Sequence, residues 1–378
     1  MKVLYATYRY DPTNPDEGSS IDFEFYKICR QSGYDVKLIG PVTTTTTFIE
    51  RVEQKIWRVY KKISRQSGLK FPISTAWRAS RMLRKAIRQE RPDIILSFFP
   101  PFFVFYNGSP SPYIWIFDTT FLGQEEFFPL YGALPLKISV WQEQRALRNA
   151  AKVITKSEWS KQVLIERYHV PAHKIEVMAV LAALPKEIIP SAFTGKKLSS
   201  PLNLLLVGRV YERKGIDIAI ETARQLNEQG TPTQLIICGM DTPAGEHPSF
   251  IRFVGNYSKK DPQQLSAYAG WYEWAHLLIH PARFEAAGIV PSEAAAFGTP
   301  TLTNDVGGLA TTVKDGESGI VLPRNSPPEA YVQAIRELIA NPEKYNALCK
   351  SARLRYEREL NSEAAGKRLA EILNAAVK

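Results

Sequence analysis

The sequence predicts an α/β protein of two doubly wound parallel sheets, each wrapped in helices, facing one another across a central cleft. Three observations carry that expectation. At 378 residues the chain is too long for one ordinary core, so two domains are expected. Short β-rich runs alternate with helical patterns from end to end, as parallel βαβ units require. A stretch rich in Pro, Ser, Gly and Lys, LPKEIIPSAFTGKKLSSP at 184–201, divides the runs into two series.

The first series is KVLYA (2–6), DVKLIG (35–40), DIILSF (93–98), YIWIF (113–117) and KVITKS (152–157). The second is NLLLV (203–207), QLIIC (234–238), IRFVG (251–255), HLLIH (276–280), TPTLT (299–303) and GIVLP (319–323). Between the first two strands of the second series, IDIAIETARQLNEQG sets Ile216, Ala219, Ile220, Ala223 and Leu226 on one helical face and stops at Gly230. The expected domains are 1–185 and 202–360, joined by a linker at 186–201, with a C-terminal helix at 361–378 packing back on the first domain. The threonine run 43–47 is expected to be a loop.

At 44% apolar and 23% charged residues, the composition is that of a soluble globular protein. Cys29, Cys238 and Cys349 are scattered without a C-x-x-C pair, which suggests neither a disulfide framework nor a zinc site and fits a reducing cytoplasm. MKVLYATYRYDP lacks a signal-peptide core, and the longest apolar run is broken by Pro100 and Pro101, so no membrane span is expected. Residues 51–91 hold 13 lysines and arginines against Glu53 and Glu90, a net of +11, whereas the whole chain carries +10. This segment suits an anionic membrane surface, with Trp57, Tyr60 and Trp77 as interfacial aromatics, or else a solvated helical face. Nucleic acid is the least favoured partner, since the sequence holds no recognised binding module.

In open parallel sheets, ligands sit at the carboxyl ends of strands, so the loops there are the ones to inspect. After NLLLV comes GRVYERKG, in which Gly208 permits a tight turn, Arg209 and Lys214 bring two cations, and Gly215 opens the next helix. Such a loop suits a diphosphate, although on its own it is better explained as a strand-to-helix turn with surface charges. Further on, RFEAAGIVPSEAAAFGTP spaces Glu285 and Glu293 with seven residues between them. Gly288 and Pro291 forbid one helix through both; Pro291 suits a first turn and Gly298 a stop. Glu285 is therefore expected in a loop and Glu293 in a helical first turn, with the amides of Gly288, Ile289 and Val290 between them. NDVGGLATTVKDGESGIVLP follows at a later strand end.

Taken in order, Gly208-Arg209 with Lys214-Gly215, Glu285 with Glu293, and Gly307-Gly308 followed by Asp315-Gly316 and Gly319 resemble the retaining nucleotide-sugar glycosyltransferases of the GT-B fold, most closely glycosyltransferase family 4. The resemblance covers residues 202–323. It implies two Rossmann-like domains, an acceptor-side one first and a nucleotide-sugar-binding one second. It further implies that Arg209 and Lys214 hold the donor diphosphate, that Glu285 binds sugar hydroxyls, that Glu293 grips the ribose, and that amides from Gly288 to Val290 approach sugar and phosphate. Gly18, in DEGSS, matches one of the family's paired glycines on the donor side. Asp118, in IWIFDTT, stands for a sugar or acceptor contact, with Phe117 at the position of the family's histidine and Thr311 at that of a glutamate.

The expected activity is transfer of a sugar from a nucleoside diphosphate sugar to a glycan, lipid-linked or small-molecule acceptor, with retention of anomeric configuration. No D-x-D or H-E-x-x-H occurs, and His169, His173, His247, His276 and His280 form no compact ligand set. Metal independence is therefore expected, with no cofactor beyond the sugar donor. His280 is expected to be a packed histidine. Phe117 favours the alternative, a noncatalytic sugar-nucleotide-binding or scaffolding protein. The expected location is cytoplasmic, peripheral on the inner face of a membrane.

Overall fold

The computed structural model describes residues 1–17 and 20–377. The chain divides into two compact units, Met1–Met178 with Ala365–Lys378, and Ala179–Ala364. In the first unit six parallel strands, β1 (Lys2–Ala6), β2 (Asp35–Ile39), β3 (Ile94–Ser97), β4 (Tyr113–Phe117), β5 (Lys152–Thr155) and β6 (Ile175–Val177), lie in the order β2-β1-β3-β4-β5-β6. Every residue of β3 and β4 is buried, which is why their sequences run apolar without alternation. Strand β2 lies at the edge and is largely exposed. β6, absent from the sequence-based expectation, is only three residues long and includes Glu176, too short and too polar to stand out as a strand.

The second unit repeats the plan with β7 (Leu202–Val207), β8 (Thr233–Cys238), β9 (Ile251–Phe253), β10 (Leu277–His280), β11 (Thr301–Asn304) and β12 (Gly319–Leu322), ordered β12-β11-β10-β7-β8-β9 and parallel throughout. The strand order reverses between β7 and β10, whose residues Leu204 and Leu277 are paired. In doubly wound sheets, the loops leaving the two strands at such a reversal flank the place where ligands bind. The helix Ile216–Glu228 buries Ile216, Ala219, Ala223 and Leu226 against this sheet and leaves Ile220 half-buried.

The segment 186–201, expected as a linker, belongs to the second unit. Ile189 is buried beside Leu205 and Tyr272, and Phe193 packs under Gly298. Lys196 Nζ donates to the carbonyls of Tyr272 and Ala275 at 2.8 and 2.7 Å. A cation at the C-terminal carbonyls of the helix Pro262–Trp274 fastens the strap, which its Pro- and Lys-rich composition disguises. The last helix, Ser362–Val377, buries Leu369, Ile372 and Leu373, and its Arg368 meets Glu176 at 2.8 Å within the first unit.

Candidate active site

The loops after β7 and β10 emerge side by side at the reversal point, the loop after β11 joins them, and a glycine in each of the outer two lets it touch the middle one. Gly215 has φ 65°, and a Cβ there would collide with the carbonyl of Pro281; at Gly307, φ 55°, a Cβ would collide with the carbonyl of Glu285. Gly308 N donates to that same carbonyl at 2.9 Å. Three segments far apart in sequence thus converge on Glu285. Gly208, at the end of β7, receives the stem of Lys214 in the space a side chain would fill.

Glu285 sits in a loop, as its spacing from Pro291 requires, with its side chain 14% exposed. Its Oε2 accepts from Lys214 Nζ and, at 3.3 Å, from Arg213 Nη1. Burial pushes this carboxyl up, but the charge of Lys214, then that of His280 where acid protonates it, and that of Arg213 outweigh it and bring it down to about 2. His280 is itself fully buried, 3.9 Å away, and neither ring nitrogen has a hydrogen-bond partner among the described residues. Burial, then the charge of Lys214, lower its pKa to about 3, so it is neutral at pH 7 and the two cations hold Glu285 ionised. Arg213 is the member that the sequence reading missed. Its neighbour Lys214 was singled out as a cation of the glycine-bounded loop Gly208–Gly215, and Arg213 is a cation of that same loop.

Arg209 is exposed at the mouth of the same loop and forms no ion pair with another described residue. The helix Val290–Ala296 carries Pro291 in its first turn, and its first backbone bonds run from Ser292 and Glu293 to Ile289 O at 3.1 Å. The amides of Ile289 and Val290 therefore precede the ladder. Gly288, φ 76°, turns the chain between Glu285 and this helix.

Glu293 occupies a different environment. Its carboxylate is completely buried: Oε1 accepts from Lys259 Nζ at 2.7 Å, while Oε2 accepts from Tyr268 and Tyr272 hydroxyls at 2.6 and 2.7 Å. Neither oxygen is open to solvent, and each already has a donor. Lys259, Tyr268 and Tyr272 lie outside the three motif segments, and no local pattern announces them. Asp315 receives the amide of Val321 at 2.9 Å, which makes the Asp315-Gly316 element a structural turn.

In the first unit Gly18 lies outside the described residues. Asp118 lines a cavity of about 210 Å³ together with Asp22, Glu143, Phe98, Phe99 and Trp115. Phe117, in the expected histidine position, packs its ring 4.4 Å from that of Trp115 and offers neither a proton nor an acceptor. Asp22 accepts the Tyr5 hydroxyl at 2.5 Å, and burial raises it to about 6. Glu143 accepts the Phe121 amide at 3.1 Å and the Tyr168 hydroxyl, and burial raises it to about 8. Lys156 Nζ lies 3.4 Å above the centre of the Phe25 ring; burial lowers it to about 7 against the pull of Asp118. Phe102 and Phe103, from the same aromatic run as Phe98, are core. Among the described residues no group of three His, Cys, Asp or Glu is placed to hold a metal ion.

Two parallel six-stranded sheets of this order, each wrapped in helices, are the fold of the GT-B glycosyltransferases. Residues 192–355 match the family model described as "Glycosyl transferases group 1", and residues 24–179 match "Glycosyltransferase Family 4". The chain belongs to the GT-B glycosyltransferases resembling family 4. Similar proteins include an alpha-D-kanosaminyltransferase of Streptomyces kanamyceticus, 27% identical over 62% of this chain and 63% of that protein. A D-inositol 3-phosphate glycosyltransferase of Thermobispora bispora is 27% identical over 64% of this chain and 59% of its own. The chain thus spans less than two thirds of the length of either relative. Among solved structures, sucrose-phosphate synthase of Thermosynechococcus elongatus superposes with a TM-score of 0.69 at 16% identity, covering 99% of this chain and 98% of that one. HepE of Anabaena in complex with UDP-glucose gives 0.64 at 16% identity, covering 99% and 100%. At these identities the structural likeness concerns the fold.

Proposed function

We propose that the protein transfers a glycosyl group from a nucleoside diphosphate sugar to a hydroxyl of a small polyhydroxylated acceptor, with retention and without a metal ion. The observation that carries this reading is the convergence on Glu285 of Lys214, Arg213 and the Gly307-Gly308 turn, beside the unpaired Arg209. Cleaving the anomeric bond loads negative charge onto the departing diphosphate and positive charge onto the sugar ring. Arg209 and Lys214 answer the first, in a place where one removed contact costs about 3 kcal/mol of transition-state stabilisation. A diphosphate that engages Lys214 draws its charge away from Glu285, whose ionised carboxylate then accepts sugar hydroxyls. The amides of Gly288, Ile289 and Val290 are assigned to phosphate and sugar, and Glu293 to the ribose once Lys259 has moved.

The acceptor is assigned to the cavity at Asp118. At about 210 Å³ it is smaller than the roughly 300–1,000 Å³ pockets of drug-sized ligands, a size for one ring. Aromatic walls and carboxylates suit a sugar or cyclitol, the kind of acceptor named for the inositol phosphate glycosyltransferases. Retention follows from the family resemblance, with the departing phosphate assisting deprotonation of the acceptor on the same face.

The test is nucleoside diphosphate release from a panel of nucleotide sugars with cyclitol and sugar acceptors, with and without chelator. The anomeric proton coupling of the product reports the stereochemistry. Donor binding without release, across all acceptors, would overturn the reading in favour of a noncatalytic binding protein. Loss of activity on chelation would overturn metal independence alone.

A further inference from the structure

We infer that the helix Phe48–Ser64 docks the protein on an anionic lipid surface by laying its outer face in the headgroup region. At about 100° per residue, Phe48, Ile49, Val52, Ile56, Val59 and Ile63 fall within one arc of about 100°. All six point outward, from 44% exposed at Val52 to 78% at Ile63. A row of six bare aliphatic and aromatic side chains on a soluble face calls for a cover.

The charges of the same helix are sorted in the same way. Its two acids face inward: Glu50 closes a capping box with Thr47 and pairs with Arg78 at 2.7 Å, and Glu53 accepts the amides of Ile73 and Ser74 at 2.8 and 2.9 Å. Its five cations, Arg51, Lys55, Arg58, Lys61 and Lys62, are exposed, and none forms an ion pair among the described residues. Four of them, all but Lys61, flank one side of the apolar arc. Trp57 and Tyr60, expected from the sequence as interfacial aromatics, are half-buried, pack against Gly68 and Gly132, and take no part. On the neighbouring helix Ile73–Glu90, Trp77 is 54% exposed with the Arg81 guanidinium 5.5 Å from its ring centre.

An apolar stripe edged by unpaired cations fits a surface that is greasy below and negative above, the arrangement of an interfacial helix. A second copy of the chain would bring the same five cations against these, and nucleic acid offers nothing to the aliphatic stripe. No described helix is long and apolar enough to cross a membrane, so the helix lies on the surface. The inference does not rest on transferase activity, and neither does its test.

The experiment is cosedimentation with vesicles of phosphatidylcholine alone and of phosphatidylcholine mixed with phosphatidylglycerol. It compares wild type, a stripe variant (Ile49→Gln, Ile56→Gln, Ile63→Gln) and a charge variant (Lys55→Gln, Arg58→Gln, Lys61→Gln, Lys62→Gln). All substituted side chains are exposed, so circular dichroism and melting temperature should match wild type. Wild type should be recovered with the anionic vesicles, and each variant should bind them about tenfold more weakly or worse. Raising the salt to 1 M, which shortens screening to about 3 Å, should weaken wild-type recovery. Negligible recovery of wild type on both vesicles would overturn the inference. So would undiminished binding by the stripe variant, or a concentration-dependent dimer, or duplex DNA binding, that the variants abolish while vesicles bind none of the three proteins.

Discussion

Glu285→Gln removes one charge from the centre of the constellation while preserving its shape. In the folded chain the carboxyl lies at about 2 instead of its ordinary 4.5. At 1.36 kcal/mol per unit, that difference makes the ionised form worth about 3 kcal/mol to the folded state at pH 7. The substitution also strands Lys214, whose side chain is only 10% exposed, with no carboxylate in reach. Breaking such a pair costs about 3–5 kcal/mol, in agreement with the titration figure. For a unit of this size, 3 kcal/mol lowers the melting temperature by about 6–12 °C. The sign with pH follows from the depressed value. The contribution is whole above the unfolded pKa and is lost as pH falls from 4.5 through about 2, so at pH 3 roughly half of the difference between variant and wild type remains. Thermal unfolding of both proteins at pH 7 and pH 3 measures this. A variant that melts within about 1 °C of wild type at pH 7 would refute the claim that Lys214 and Arg213 hold Glu285 ionised.

Arg209→Ala should leave stability within about 0.5 kcal/mol, since the side chain is exposed and unpaired, yet lower turnover about 10²- to 10³-fold. Lys214→Ala should lose both, because it deprives Glu285 of its nearer cation; equal melting temperatures for the two variants would contradict this division. Glu293→Gln should weaken nucleoside diphosphate binding by about 10- to 100-fold, the worth of a hydrogen bond to a charged group, whereas Glu285→Gln should leave that affinity nearly unchanged and impair transfer. Calorimetric titration of both variants separates them, and unchanged affinity in Glu293→Gln would remove it from the ribose. His280, held neutral down to about pH 3, takes up a proton near 6.5 only when unfolded, so it costs about 2 kcal/mol of stability between pH 7 and pH 5. His280→Gln should melt with a shallower pH dependence over that interval; an unaltered slope would show that the imidazole is protonated in the folded state.

Much of this was legible because it is written locally. Strands buried on both faces print their apolar runs directly, and Gly288, Pro291 and Gly298 mark the loop, helix start and helix stop around the two glutamates. What was not legible is partner choice across the fold. Lys259, Tyr268 and Tyr272 occupy Glu293 from a neighbouring helix and loop, and nothing in their own surroundings signals a carboxylate. The strap at 186–201 has the composition of a linker, and Lys196 docks on partners distant in sequence, the open carbonyls at the end of the helix Pro262–Trp274 and the Thr299 hydroxyl. The basic segment was visible as a charge count. Its apolar stripe was not, because exposure depends on which face the helix turns inward.

The two glutamates of one motif show how a fold divides similar residues between different tasks. Glu293 is closed off: each oxygen has its donor, and changing any partner leaves a buried charge short of hydrogen bonds. Glu285 is held by two cations on one oxygen and retains some exposure, so its partners can be shared with an arriving anion without stranding it. An ion pair that tolerates sharing suits a residue whose neighbours must change charge during a reaction, because the diphosphate grows more negative as the anomeric bond breaks. His280 makes the arrangement one-sided. Buried and neutral beside Glu285, it adds no third positive charge, so among the described residues the balance at this point is set by Lys214 and Arg213. Under the proposed function, charge on the ligand, more than proton transfer within the site, would shift this constellation at neutral pH.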